Sequence, residues 1–256
     1  MAEMRDVFGK YLAELGNEYG NMYVLDADLK TSTRTVKFEE AHPERFVQCG
    51  IAEQNMVGIS AGLALENKIP VVCTFAAFLS QRTLDQINTS VAYPRINVKL
   101  AAAYSGLFAS MCGATHQSLE DLAIMRAMPG MYVADPADDE ELRQVMKAAM
   151  EHQGPVYYRV SRGAAEESIS TGHNFTWGKG YEIHPGSDVT VVSTGVTSQW
   201  ALQAARQLEA EGISVQVLHM PSIKPFDEDL LISAADKTGL VVTVENHSVL
   251  GGLGGL

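Results

Sequence analysis

Short apolar runs of strand composition alternate with helix-period segments along most of this 256-residue chain. That alternation constrains the fold more than any other feature. Strands joined by helices lie parallel in one sheet, with helices on both faces. The strand runs fall at 22–25, 46–48, 69–75, 97–103, 131–134 and 155–160. Between them, Val7, Phe8, Tyr11, Leu12 and Leu15 sit at helical spacing within 3–19,. Further helices are expected over 77–93 and over 138–152, the latter opened by acids as the helix dipole prefers. Ser118 is expected to cap a helix, and 104–117, rich in small residues and without a period, to be a loop. The run at 97–103 is apolar on both faces, which predicts a central, parallel strand.

Regularity fades over 163–187, where Gly163, Gly172, Gly178, Gly180, Pro185 and Gly186 cluster. A second alternation follows: strand 189–194, helix 197–211, strand 213–219, helix 227–237, strand 239–245. The expected organisation is one α/β domain over 1–163, a linker over 164–187 and a second, smaller α/β domain over 188–256. The last unit reads as incomplete, with a further helix and strand expected beyond the glycines at 251–255; a glycine tail is the alternative.

Composition matters mainly for what it excludes. A net charge of −12 leaves no basic stripe to release counterions, so a nucleic-acid surface is not expected. No apolar run is long enough to span a membrane, and residues 1–5 lack a signal-peptide core. The three cysteines, Cys49, Cys73 and Cys112, form no CxxC pair, which suits a reducing, cytoplasmic setting. The histidines show neither HxH nor HExxH spacing, so no metal site built by this chain alone is expected.

Chemistry concentrates at Gly50-Ile51-Ala52-Glu53-Gln54-Asn55-Met56. Glu53 is a single carboxylate at the mouth of a helix whose next turns, Met56 to Leu65, have almost no polar face. Helices apolar all round are buried, and an acid there needs a partner. Favourable placement at a helix N-terminus is the plain alternative. In an open parallel sheet, ligands gather outside the carboxyl ends of the strands. The loops expected there, 26–35, 49–54, 75–81, 104–117 and 160–163, also carry the unusual polar and aromatic residues.

With Glu53, the Phe75/Phe78 pair and Gly113-Ala114-Thr115-His116-Gln117 in view, the chain resembles the transketolase family. More narrowly, it is similar to the stand-alone C-terminal half found when transketolase is split into two subunits. Residues 1 to about 163 resemble the pyrimidine-binding domain and about 188 to 256 the start of the C-terminal domain. The fold so implied is a pyrimidine-type thiamine-diphosphate-binding sheet followed by the smaller α/β unit. The activity so implied is transfer of a two-carbon ketol unit between sugar phosphates.

The resemblance implies roles for particular residues. Glu53 would hydrogen-bond the cofactor's aminopyrimidine ring and drive it into the tautomer that draws the proton from the thiazolium carbon. Phe75 and Phe78 would wall the pyrimidine pocket, with Phe78 stacking, though they also suit a strand-end core. Gln81 stands where relatives often carry another aromatic. Asp28 would lie near the thiazolium ring; from sequence alone it reads first as a turn or cap residue after a strand. His116 would contact the reacting carbon's substituents and move protons. Arg5, Ser32 and Arg162 would hold a substrate phosphate.

Two departures bear on the substrate. Family transketolases commonly have His-Asp-Ser and Glu-Asp-Gly where this chain has Tyr104-Ser105-Gly106 and Met111-Cys112-Gly113. The missing aspartate normally accepts a hydrogen bond from a sugar hydroxyl, and a cysteine cannot match it. Tyr104 and Cys112 are therefore grouped with the substrate-binding residues. The expected donor is a branched, deoxygenated or otherwise modified ketose phosphate, or a smaller 2-oxo compound. A third departure concerns the cofactor's diphosphate, which in this superfamily is held through Mg²⁺ by a Gly-Asp-Gly motif absent from this chain,. The resemblance thus implies a partner carrying the diphosphate-binding domain, in an α2β2 assembly, with the small residues Gly58, Ser60, Ala61, Gly62 and Ala64 suiting a tight contact. Three alternatives stay open: a decarboxylating subunit like 1-deoxyxylulose-5-phosphate synthase or a 2-oxoacid dehydrogenase β chain, a non-catalytic assembly partner, and nucleotide binding at the turn 193–198.

Overall fold

The computed structural model describes residues 3–256, and at Ser110 and Met111 the backbone alone. Met1 and Ala2, which open both the N-terminal reading and the first expected domain, lie outside the described residues, as does the Met111 side chain. In chain order the elements are α1 (Met4–Glu18), β1 (Met22–Asp26), α2 (Lys30–Thr33), α3 (Val36–Ala41), β2 (Phe46–Gln48), α4 (Glu53–Leu65), β3 (Ile69–Phe75), α5 (Leu84–Gln86), β4 (Lys99–Ala103), α6 (Asp121–Ala127) and β5 (Tyr132–Ala134). There follow α7 (Asp139–Glu151), β6 (Val156–Val160), β7 (Tyr181–His184), β8 (Val189–Ser193), α8 (Thr197–Glu209), β9 (Val215–His219), β10 (Ser222–Lys224), α9 (Glu228–Thr238) and β11 (Val241–Val244).

The larger sheet runs β10-β5-β6-β4-β3-β1-β2 and the smaller β11-β8-β9-β7. β4 is central, parallel to β3 and β6, and buried at every residue, as expected of a strand apolar on both faces. Period-two alternation divides the larger sheet's side chains between two cores. Leu25, Val72, Leu100 and Tyr157 pack on one face with Met56 and Val57 of α4. Their neighbours Val24, Val71, Ala101 and Tyr158 pack on the other with Met4, Phe8 and Leu12 of α1. Each fully buried Met, Leu or Phe contributes about 1.5–3 kcal/mol, so both layers hold the sheet firmly.

Several local expectations change. The polar stretch after β1 folds into α2 and α3, because buried Asp26 gathers it: its carboxylate accepts from Leu29 N at 2.6 Å, Thr33 Oγ1 at 2.9 Å and Thr35 Oγ1 at 2.8 Å. The helix expected over 77–93 is mostly wide π-helical turns, Phe78–Arg82 and Ile87–Ala92, about the short α5. Ser80 Oγ and Thr83 Oγ1 donate back to the Ala76 and Leu79 carbonyls, competing with regular α-helical bonding. Ser118 does not cap α6; Glu120 precedes that helix without a side-chain cap, while Ser118 forms a backbone bridge with Gly106.

The glycine-rich stretch yields β7, which pairs antiparallel with β9. Ser222-Ile223-Lys224, three residues between prolines, form β10 and pair antiparallel with β5, so the later part of the chain closes the edge of the larger sheet. Such short segments carry too few residues for a readable period. α4 also departs from expectation: Met56, Val57, Ser60 and Ala61 are buried, but Gly58, Gly62 and Leu65 are exposed, Leu65 at 71%.

Candidate active site

The carboxyl ends of β1, β2, β3, β4 and β6 deliver the candidate residues. Gly50, with φ +68°, turns the chain after β2 in a conformation glycine adopts without steric cost. The turn places Glu53 at the first position of α4 with 5% exposure. Its partner comes from elsewhere: Arg82 Nη1 donates to Glu53 Oε1 at 2.5 Å. Nothing in the sequence pattern singles out Arg82. Its guanidinium also lies over the Phe78 ring, 3.6 Å from the centroid. The π-helical turn puts Phe78 and Arg82 within one loop of backbone, and Gln54 Nε2 secures its end by donating to Arg82 O at 3.0 Å.

From Phe78 an aromatic row continues inward. The Phe78 and Phe75 centroids are 5.5 Å apart and those of Phe75 and Tyr104 4.4 Å. His116 stands edge-on to this row, 5.0 Å from Phe78 and 5.9 Å from Phe75, both at 63°. Its Nδ1 is 2.9 Å from Thr115 Oγ1. Tyr104 holds φ +59°, a sparsely populated conformation for a bulky side chain and one that clusters at functional sites. Its hydroxyl accepts from Arg5 Nη1 at 2.7 Å, and the Arg162 guanidinium lies 5.2 Å from its ring centroid. Two guanidinium groups therefore converge on Tyr104 at one end of the row, and the Glu53–Arg82 pair marks the other.

The remaining candidates are less closely joined. Asp28 follows β1 with φ +63°, exposed, its N–H donating to Gln48 Oε1 at 2.9 Å. Ser32 lies on α2, which an Arg34–Asp6 ion pair of 2.7 Å ties to α1 one residue from Arg5; among the described residues no hydrogen bond joins Ser32 to Arg5 or Arg162. Cys112 is exposed at the end of a 3-10 turn, Leu107–Cys112. Gln81 donates to Glu120 at 3.2 Å and, with Ile51, Ala52, Glu53, Gln54, Asn55 and Arg82, lines an open cleft of about 620 Å³.

The space between Phe78 and Glu53 that the Arg82 guanidinium fills passes a simple test for an aminopyrimidine. A flat group already stacks on Phe78 while hydrogen-bonding Glu53, so the slot has the shape and polarity that such a ring requires. No group of three or more His, Cys, Asp or Glu among the described residues could hold a metal. The turn 193–198, by contrast, does not suit a phosphate. Ser193, Thr194 and Thr197 spend their hydroxyls on carbonyls, and Ser198 Oγ pairs with His219 Nδ1 at 2.6 Å. A side chain at Gly195 would meet the Asp135 carboxylate at 2.5 Å, placing negative charge where a phosphate would lie.

The mostly parallel sheet covered by helices on both faces, followed by a smaller α/β sheet, is the architecture of an α/β transferase, and the chain belongs to the transketolase family. Residues 1–167 match the model of the transketolase pyrimidine binding domain, and 178–256 that of the transketolase C-terminal domain. The 6-deoxy-6-sulfo-D-fructose transketolase subunit SqwH of Clostridium sp. is 42% identical over 98% of this chain and 78% of its own length. A subunit of the apulose-4-phosphate transketolase of Phocaeicola vulgatus is 38% identical over 100% and 82%. A solved split-gene transketolase, described as an inactive beta4 tetramer, superposes with a TM-score of 0.90 at 46% identity, covering 99% of this chain and 83% of that one.

Proposed function

We propose that this chain is the pyrimidine-binding subunit of a split transketolase, active with a partner that carries the diphosphate-binding domain and its Mg²⁺. The assembly transfers a two-carbon ketol unit from a ketose phosphate donor to an aldose phosphate acceptor. Thiamine diphosphate, when bound, supplies the nucleophilic carbon that carries the unit. Within this chain, the buried Glu53 carboxylate would hydrogen-bond the pyrimidine edge and orient the ring for proton transfer,. Phe78 stacks on the ring and Phe75 backs it; Asp28 orients the neighbouring end of the cofactor. His116 moves a proton at an imidazole nitrogen beside the reacting centre. Arg5 and Arg162, with Ser32, bind the substrate phosphate, and Tyr104 positions their guanidinium groups.

One observation carries this reading: the buried Glu53 carboxylate and the Phe78 ring together clasp a flat hydrogen-bonding group at the mouth of the cleft. The need for a partner is supported by the exposed stripe of α4. Gly58 and Gly62 have open space where a side chain would stand, and Ile51 and Leu65 flank them at 76% and 71% exposure. The solved relative described as an inactive beta4 tetramer agrees with a subunit that needs its complement. An α2β2 cytoplasmic assembly completes the reading, with a first domain over 1–163 and a second that takes in β7 as well as 188–256.

The donor is a modified ketose phosphate. Cys112 replaces the acidic reader of a sugar hydroxyl; the name of one relative specifies apulose 4-phosphate, a ketose phosphate, and that of another 6-deoxy-6-sulfo-D-fructose, a deoxygenated ketose whose anion is a sulfonate and not a phosphate. The deciding experiment co-purifies the chain with its partner and assays a panel of donors. Turnover of modified ketose phosphates above xylulose 5-phosphate is expected. Preference for xylulose 5-phosphate overturns the donor assignment, and turnover of pyruvate without any ketose phosphate overturns ketol transfer itself.

A further inference from the structure

Arg82 satisfies, within the chain itself, the two contacts that the proposed cofactor ring requires. Its guanidinium is planar and cationic, lies 3.6 Å from the Phe78 centroid and donates to Glu53 at 2.5 Å. Glu53 is 5% exposed, whereas the Arg82 side chain is 45% exposed. The arginine therefore reaches inward from the rim and can leave toward solvent without disturbing the core. A buried carboxylate left without a donor would be unfavourable. We propose that Arg82 is a placeholder for the aminopyrimidine: it keeps the slot open and Glu53 satisfied in the free subunit, and it must swing out before the cofactor seats.

This inference rests on the cofactor reading of the cleft, and its consequences differ from those of that reading. Removing a group that competes for the slot tightens cofactor binding, whereas removing a group that helps hold the cofactor weakens it. The side-chain identity also matters. Lysine retains the charge for Glu53 but has no flat face to lay on Phe78, so it competes less well than arginine.

The test is calorimetric titration of the wild-type, Arg82→Ala and Arg82→Lys complexes, each reconstituted with the partner subunit, with thiamine diphosphate in excess Mg²⁺. Loss of one partly exposed ion pair and one stacking contact should lower the apparent Kd roughly tenfold in Arg82→Ala, with Arg82→Lys between it and wild type. A second measurement uses the free chain and the probe 4-amino-5-hydroxymethyl-2-methylpyrimidine: the probe should raise the thermal midpoint of Arg82→Ala and leave wild type unchanged. If Arg82→Ala does not fold, Arg82→Lys decides by the same sign. A wild-type complex that binds thiamine diphosphate beside variants that bind no more tightly overturns the placeholder. A wild-type complex that binds none of the cofactor overturns the cofactor reading, and the placeholder with it.

Discussion

Glu53 could be singled out from sequence because a lone acid before a run of apolar helix residues is an energetic anomaly. Its partner could not, since Arg82 lies 29 positions away and reaches Glu53 only through the width of a π-helical turn. Glu53→Gln keeps the shape of the side chain but cannot exchange its proton. In the reconstituted complex it should lower kcat by about 10²- to 10⁴-fold, measured by steady-state assay, while thermal unfolding of the free chain shifts little. Lys99, fully buried at the start of β4, donates to the carbonyls of His152 at 2.7 Å and Gly154 at 2.8 Å, and burial pushes its ammonium down to about 7. Above that pH the folded chain carries it neutral while the unfolded chain still binds the proton. Stability should therefore rise as pH climbs from about 7 toward 10.5, by up to about 1.4 kcal/mol per unit. Denaturant midpoints across that window should show the rise in wild type and a flatter profile in Lys99→Met.

At the scale of elements, regular period was readable and its interruptions were not. α7 illustrates the first: its opening acids and amphipathic pattern announce both ends. Asp138 Oδ1 caps it by accepting from Glu141 N at 2.9 Å. Only the structure adds that Asp138 Oδ2 also accepts from Ile169 N at 2.9 Å and Ser170 N at 3.0 Å, pinning the glycine-rich connection to the helix. Asp138→Ala removes a cap and leaves buried N–H groups unpaired, which should cost about 3 kcal/mol. Chemical denaturation checks the loss, and limited proteolysis should show faster cleavage within 163–180. The wide turns of 77–93 were illegible for a related reason. Ser80 and Thr83 choose their carbonyl acceptors only once the local backbone is in place.

At the scale of the molecule, a buried polar joint links the two sheets. Arg159 of β6 binds Asp121 through Nη2 at 2.5 Å and Nε at 2.8 Å, reaches Asp135 at 3.3 Å, and donates to the Asn246 carbonyl at 3.2 Å. Burial works to raise the Asp121 carboxyl, but the Arg159 guanidinium and Tyr157 hydroxyl outweigh it and hold it below the usual range. Beside this joint, Glu141 of α7 meets His219 of β9 at 2.8 Å and the Tyr181 hydroxyl at 2.8 Å. Arg159→Met strands two carboxylates in the interior and should cost about 3–5 kcal/mol, read as a lowered denaturant midpoint. That Asp121 anchors Arg159, 38 positions on, required the fold.

Local pattern alone determined the α/β class, the central place of 97–103 and the set of loops at the carboxyl ends of the strands, because period and strand composition are properties of neighbouring residues. Tertiary structure decided the rest: that 222–224 completes the first sheet, that Arg5 and Arg162 meet at Tyr104, and that Arg82 lies across Phe78. Each of these depends on residues distant in the chain, and on short or irregular backbone whose shape is set by what packs against it.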